Sequence, residues 1–268
     1  MIFTVHNAAV YAYTGGKSFN PAQPTLVFVH GVLNDHSVWI LQTRYLAHHG
    51  WNVLAVDLPG HGRSTGTPPA SVEEAADWLI ALLDAAGLPA ATLIGHSFGS
   101  LIAMEAAARA PARVRQLVLL GTAAPMKVSP ALLEASLNQP LAAIDMVNRF
   151  SHALLAPPPS VLGPGTWVPG GARALMRRVL ASNPAVNVFH AGFKACDAYH
   201  GGEAAMDKIE APTLFIAGRR DQMTPPQAAQ PLIGRARHGR LVLVDAGHDL
   251  MAEAPEEVLS AMTHFLSP

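Results

Sequence analysis

The sequence predicts an α/β fold: a mostly parallel central sheet with helices on both faces and a helical insertion. Three observations carry that expectation. Short apolar runs, "TLVFVHG", "WNVLAVD", "ATLIGHS" and "QLVLLGT", alternate with helix-like segments in the first half, which is the pattern of βαβ units around a doubly covered parallel sheet. The strand rhythm then stops over residues 123–202. It resumes with "APTLFIAG" and "GRLVLVDAG" before a last helix, so both ends of the chain build one sheet.

The opening segment "MIFTVHNAAVYAYTGG" reads as early strands and a turn, because it lacks the basic region and long apolar stretch of a signal peptide. In "SVEEAADWLIALLDAAG", Ser71 and Glu74 stand in capping-box spacing. Trp78, Leu79, Leu82, Leu83 and Ala86 form one apolar stripe, and Gly87 ends it. This predicts an amphipathic helix packed on the sheet. "SLIAMEAAARA", closed by Pro111, predicts another. Residues 123–202 read as helical pieces around "APPPSVLGPGTWVPGG", where proline lacks a backbone donor and glycine is too permissive to continue an element. A helix is expected near Pro225. The last is opened by Pro255, with Val258, Leu259, Met262, Phe265 and Leu266 facing inward. The expected division is a core of residues 1–122 and 203–268 and a cap or lid of residues 123–202.

Composition narrows the function. A chain of 268 residues can bury a full core and carry one insertion. Hydrophobic residues make up 50% and charged residues 14%, below the usual quarter, so no extended charged face is expected. A net charge of -1 without any Lys/Arg block argues against nucleic-acid binding. No apolar span is long enough to cross a bilayer. The single cysteine, Cys196, excludes an internal disulfide and any CxxC metal site. These features predict a cytoplasmic protein with a small-molecule partner, no membrane association and no metal.

The chemistry is sought at strand ends. "LIGHSFGS" places Ser97 between Gly95 and Gly99, after an apolar run and before a helix. Two small residues there suit a sharp strand-to-helix turn that projects the serine hydroxyl. A serine needs a base, an orienting group and oxyanion donors to act as a nucleophile. Asp221, in "LFIAGRRDQMTPP", follows one late strand, and His248, in "VLVDAGHDLMAEAPEEV", follows the last.

The motif "GHSFG", with these later segments in the order Ser, acid, His, resembles the nucleophile elbow and triad of the α/β-hydrolase fold, over almost the whole chain outside the cap. The resemblance implies that Ser97 attacks, His248 moves the proton and Asp221 orients His248. It implies oxyanion donors at the backbone N–H groups of Phe98 and Val32, the latter from "VFVHGVLNDHSVW", where His30 is structural. The loop "DLPGHGRS" is a further family landmark with a packing role. Asp245 and Asp249 are rival acids, but each lies too near His248 in sequence to be the preferred orienter. His36, His61 and His96 lie near the rim and read as structural. Trp39 is the candidate substrate-wall residue.

An acyl-enzyme route needs no cofactor. Serine at the elbow argues against the dehalogenases and epoxide hydrolases of the family, which use aspartate there. Phe98 and a cap with few acids argue against proline iminopeptidases. A cap rich in Ala, Leu, Pro and Phe favours an esterase acting on small apolar acyl esters. Lactonase, carbon–carbon bond hydrolase, cofactor-free haloperoxidase-like enzyme and a ligand-binding module that keeps the triad stay open.

Overall fold

The computed structural model describes residues 1–20, 22–153 and 166–266. Most of the "APPPSVLGPGTWVPGG" stretch, read above as part of a lid, lies outside the described residues. Eight strands form one sheet: β1 (Ile2–Val5), β2 (Ala8–Tyr13), β3 (Thr25–Val29), β4 (Asn52–Val56), β5 (Ala91–His96), β6 (Val114–Leu120), β7 (Thr213–Gly218) and β8 (Gly239–Val244), in the order β1-β2-β4-β3-β5-β6-β7-β8. The β1–β2 and β2–β4 pairings are antiparallel; the pairings from β4 to β8 are parallel. His6 and Asn7, both at positive φ, make the two-residue turn of the β1–β2 hairpin.

The helices are α1 (Ile40–Ala47), α2 (Val72–Ala85), α3 (Phe98–Arg109), α4 (Pro130–Asn138), α5 (Pro140–Ser151), α6 (Val168–Ser182), α7 (Val188–Ala198), α8 (Gly202–Met206), α9 (Gln230–Arg235), α10 (Leu250–Glu253) and α11 (Pro255–Phe265). The Ser71 hydroxyl accepts the Glu74 N–H at the start of α2, as its spacing predicts. Near Pro225 the chain forms a 3₁₀ turn, Pro226–Ala229, before α9.

The buried strands β3 and β5 show no alternation because both sheet faces are covered. One core packs α2, α3 and α8 on one face; the other packs α1, α10 and α11 on the opposite face. A third, smaller core joins α4, α5, α6 and α7 through Ala143, Ile144, Met176, Val179 and Phe189, and includes Leu33 from the loop after β3. The end of α7 is not part of that third core: Ala195, Cys196 and Tyr199 pack with α3 in the first. Among the described residues no helix is long and apolar enough to cross a membrane.

The chain order reverses at β3, which has β4 on one side and β5 on the other. In open parallel sheets the carboxyl ends of strands at such a reversal form the ligand crevice. The loop after β3 and the turn after β5 therefore flank the place where a site is expected.

Candidate active site

Ser97 closes β5 and starts α3 with φ 53° and ψ -119°. A residue with a Cβ occupies this region only at an energetic cost of about 1–3 kcal/mol. The surroundings hold it there: the Ser97 N–H donates to the Leu120 carbonyl on β6 (2.9 Å). Both flanking glycines are required by space. A Cβ on Gly95 would overlap the Gly99 carbonyl, and one on Gly99 would overlap the carbonyls of Val29 and His30. A serine at a helix start ordinarily caps it from extended backbone. Ser97, in its twisted conformation, makes no such cap, which leaves its hydroxyl available for chemistry.

Ser97 and His248 line one cavity of about 250 Å³, together with Gly31 and Val32 from the loop after β3. Phe98 is the first residue of α3, so its N–H has no acceptor within the helix. Its side chain is buried in the core and does not line the cavity. Trp39 departs from expectation. It is fully buried against Phe28 (ring centroids 5.2 Å) and is not part of the cavity wall. Its large apolar ring reads equally as wall or core in a sequence, and the core claims it. Trp167, Val168, Leu175, Met176 and Phe193 line the side contributed by the inserted helices.

His248 is buried, and its Nδ1 donates to Asp221 Oδ2 (2.8 Å). Asp221 is also buried and accepts from the N–H groups of Met223 and Thr224 (both 2.8 Å) and from the Thr224 hydroxyl (2.8 Å). Burial alone would raise the Asp221 carboxyl, but the facing imidazole and these donors together hold it below the ordinary carboxylate value. Burial likewise presses the His248 imidazole down, and the Asp221 charge and hydrogen bond overcome it, leaving His248 more basic than usual. The rival acids go elsewhere: Asp249 faces His152 (3.3 Å) and Asp245 pairs with Arg220 (3.0 Å).

Of the histidines expected near the rim, His61 is buried and its Nδ1 donates to the Pro59 carbonyl (3.0 Å). His96 donates from Nε2 to the His248 carbonyl (2.9 Å), and burial pushes it down to about 3, so it is a neutral strut beside the site. His30 donates from Nδ1 to the Gly31 carbonyl (2.8 Å) and accepts the Leu58 N–H at Nε2 (3.0 Å), which fixes a neutral ring. In "DLPGHGRS", Asp57 accepts from His36 and Arg63 and organises its loop. Asp35, His36 and Asp57 bring one ligand atom each within 4.8 Å of one another. Their oxygens already accept from Ser37, Arg178, His36 and Arg63. Cys196 is buried, and burial pushes its thiol well up, away from reactivity.

Sequence reading passed over three contributors. Thr224 fixes the Asp221 carboxylate. Gly121, at φ 53° after β6, lies so close that a Cβ would sit 3.1 Å from the His248 ring. The Ser151 carbonyl, at the end of α5, accepts the N–H groups of both His248 (2.7 Å) and Asp249 (3.0 Å). A Ser/Thr three residues after an acid is a turn signal that points to Thr224; the other two contacts join segments distant in sequence.

Comparison with known proteins agrees with this architecture. Residues 24–255 match the family described as alpha/beta hydrolase fold. The chain is 31% identical to the pimeloyl-[acyl-carrier protein] methyl ester esterase of Neisseria meningitidis (strain MC58), over 85% of this chain and 87% of that protein. It is 26% identical to the (E)-2-((N-methylformamido)methylene)succinate hydrolase of Acinetobacter baylyi, over 90% of this chain and 89% of that one. In structure it resembles the enol-lactonase of Burkholderia xenovorans, with a TM-score of 0.85, full coverage of both chains and 20% identity. The chain belongs to the α/β-hydrolase family and is a hydrolase.

Proposed function

We propose that this enzyme hydrolyses small, mainly apolar carboxylic esters through an acyl-enzyme on Ser97. The observation that carries the reading is the shared cavity of Ser97 and His248, with His248 tied through Nδ1 to buried Asp221. His248 takes the Ser97 proton as the hydroxyl attacks the ester carbonyl, then gives it to the leaving alcohol; a water activated the same way releases the acid. The negative charge on the carbonyl oxygen is met by the N–H groups of Val32 and Phe98. Asp221 holds the tautomer and stabilises the imidazolium.

Residues 123–202 serve in this reading as the cap that shapes the acyl pocket, which the apolar lining from α6 and α7 supports. A cavity of about 250 Å³ suits a short acyl chain. The methyl ester esterases among the relatives support ester over amide chemistry. The partner is a small molecule, and the lone, buried Cys196 supports work in a reducing cytoplasm.

The test is hydrolysis of p-nitrophenyl esters of increasing chain length by the wild type and Ser97→Ala. Activity on short esters that is lost in the variant is expected; unchanged hydrolysis in Ser97→Ala would sink the nucleophile assignment. A fluorophosphonate that leaves Ser97 unlabelled in folded protein would instead support a ligand-binding role.

A further inference from the structure

A second histidine–carboxylate pair lines the same cavity. His152 and Asp249 both border it, on opposite sides of the contact between the end of α5 and the His248 loop. The protonation of His152 follows from its neighbours. Nδ1 lies 2.8 Å from the Asn148 carbonyl, which can only accept, so Nδ1 carries a proton. Nε2 lies 3.3 Å from Asp249 Oδ2. A bare nitrogen there would face a carboxylate oxygen, acceptor against acceptor, so the ring is an imidazolium when Asp249 is ionised. Burial presses His152 down, but Asp249 leaves it above its ordinary value, while Asp249 is held below its own.

The pair is incompletely satisfied. Nε2 of the buried His152 is at ion-pair distance from Asp249 yet makes no hydrogen bond among the described residues. Asp249 stands at the start of α10 without capping it. None of the backbone or hydroxyl donors of the described residues serves its carboxylate. The contrast with Asp221 is direct, since that carboxylate receives two N–H groups, a hydroxyl and an imidazole. Glu253, close by, is also filled: it accepts the Gly247 N–H (2.6 Å) and the Ala153 N–H (2.8 Å). Asp249 is therefore the carboxylate at this cavity with unused acceptor capacity, and its side chain keeps 19% of its surface exposed. An ionised carboxylate only accepts, so it takes its remaining donors from whatever occupies the cavity.

We infer that Asp249, positioned by His152 behind it, recognises a hydrogen-bond donor on the substrate, a hydroxyl or amide N–H on an otherwise apolar acyl chain. The inference rests on the reading of Ser97 as the nucleophile. The adjoining imidazolium offsets the carboxylate charge, which favours a neutral donor over an ammonium. A substrate carboxylate meets repulsion from Asp249.

The experiment compares matched p-nitrophenyl esters whose acyl chains, of about four to eight carbons, end in methyl, hydroxyl, ammonium or carboxylate. Wild type should prefer the hydroxyl-ended ester to its methyl-ended partner by roughly ten- to a hundred-fold in kcat/KM at the chain length that reaches Asp249, mainly through KM. In Asp249→Leu the ratio should fall to about one, and in Asp249→Asn it should fall several-fold. Because the readout is a ratio within each protein, a general loss of activity does not imitate it. A wild type that prefers the methyl end at every length overturns the inference whether or not the variants fold. So does a ratio unchanged by either substitution, or a preference for the carboxylate end. Failure of the nucleophile reading is distinguishable, because Ser97→Ala would then still hydrolyse the methyl-ended esters.

Discussion

The carbonyl of Ser151, the last residue of α5, accepts the N–H of His248 at 2.7 Å. An inserted helix thus ends on the loop that carries the proposed base. Glu253 braces the same junction by accepting from Gly247 on one side and Ala153 on the other. Glu253→Ala strands two N–H groups in a half-buried setting, each worth about 1–3 kcal/mol. Urea unfolding should show a loss of that order. Steady-state kinetics should show kcat reduced more than KM, because the variant loosens His248 and leaves the pocket wall in place. Stability equal to wild type would remove the bracing role.

The pH profile follows from the Asp221–His248 pair. His248 must be neutral to take a proton, and its folded value lies above the ordinary 6.5. The acid limb of kcat/KM should therefore lie above 6.5. Asp221→Asn removes the charge that overcomes burial, so the limb should move to lower pH while the rate falls by about 10³–10⁴-fold. Stability runs with the opposite sign on the histidine. The raised imidazole contributes fully below 6.5 and the contribution fades as pH rises through its folded value. The lowered Asp221 contributes fully above 3.8 and fades as pH falls. The stability difference between wild type and Asp221→Asn should thus be greatest between 3.8 and 6.5, as denaturation across that range would register.

Gly121 tests the placement of the His248 ring. Its φ of 53° and the 3.1 Å approach of a built Cβ to the ring make alanine unfavourable on both counts. Gly121→Ala should cost about 1–3 kcal/mol through backbone strain. It should lower kcat by roughly ten- to a hundred-fold, because a small displacement of a catalytic group is amplified in rate. Fluorophosphonate labelling should slow in parallel; labelling at the wild-type rate would show that the ring had not moved.

Much of this was legible because chemistry and fold share the same signals. Ser97 was visible from its two glycines, and the space around Gly95 and Gly99 explains why no other residue serves there. Asp221 and His248 were visible as polar residues placed just after apolar runs, and the structure joins them at 2.8 Å. Ser71 and Ser97 mark the limit of local reading. Both precede a helix, yet only Ser71 caps it, and the difference lies in a backbone twist that β6 enforces through Leu120. Trp39 marks another limit. Apolar character gives no direction, and Phe28 on β3 draws the ring into the core. Gly121 and Ser151 act through pairings across the sheet or the insertion, which no single segment encodes, whereas Thr224 reaches Asp221 from three residues away within one turn.

The loop after β3 is fastened to the inserted helices in two ways of unequal strength. Leu33, fully buried at a positive φ of 55°, enters the small core with Ile144 and Phe189. Asp35, two residues on, receives Arg178 of α6 at 2.8 Å, but that arginine side chain is 63% exposed. Leu33→Ala should cost about 2–5 kcal/mol, as apolar truncations in a packed core do. Arg178→Met should cost no more than about 1 kcal/mol, since solvent screens an exposed partner. The kinetic consequence should follow the same order, because Leu33 directly follows Val32, whose N–H is the proposed oxyanion donor. Leu33→Ala should lower kcat with KM moved less, and Arg178→Met should leave kcat nearly unchanged and insensitive to salt. A larger kcat loss in Arg178→Met than in Leu33→Ala would mean that the ion pair, and not the buried leucine, sets the loop.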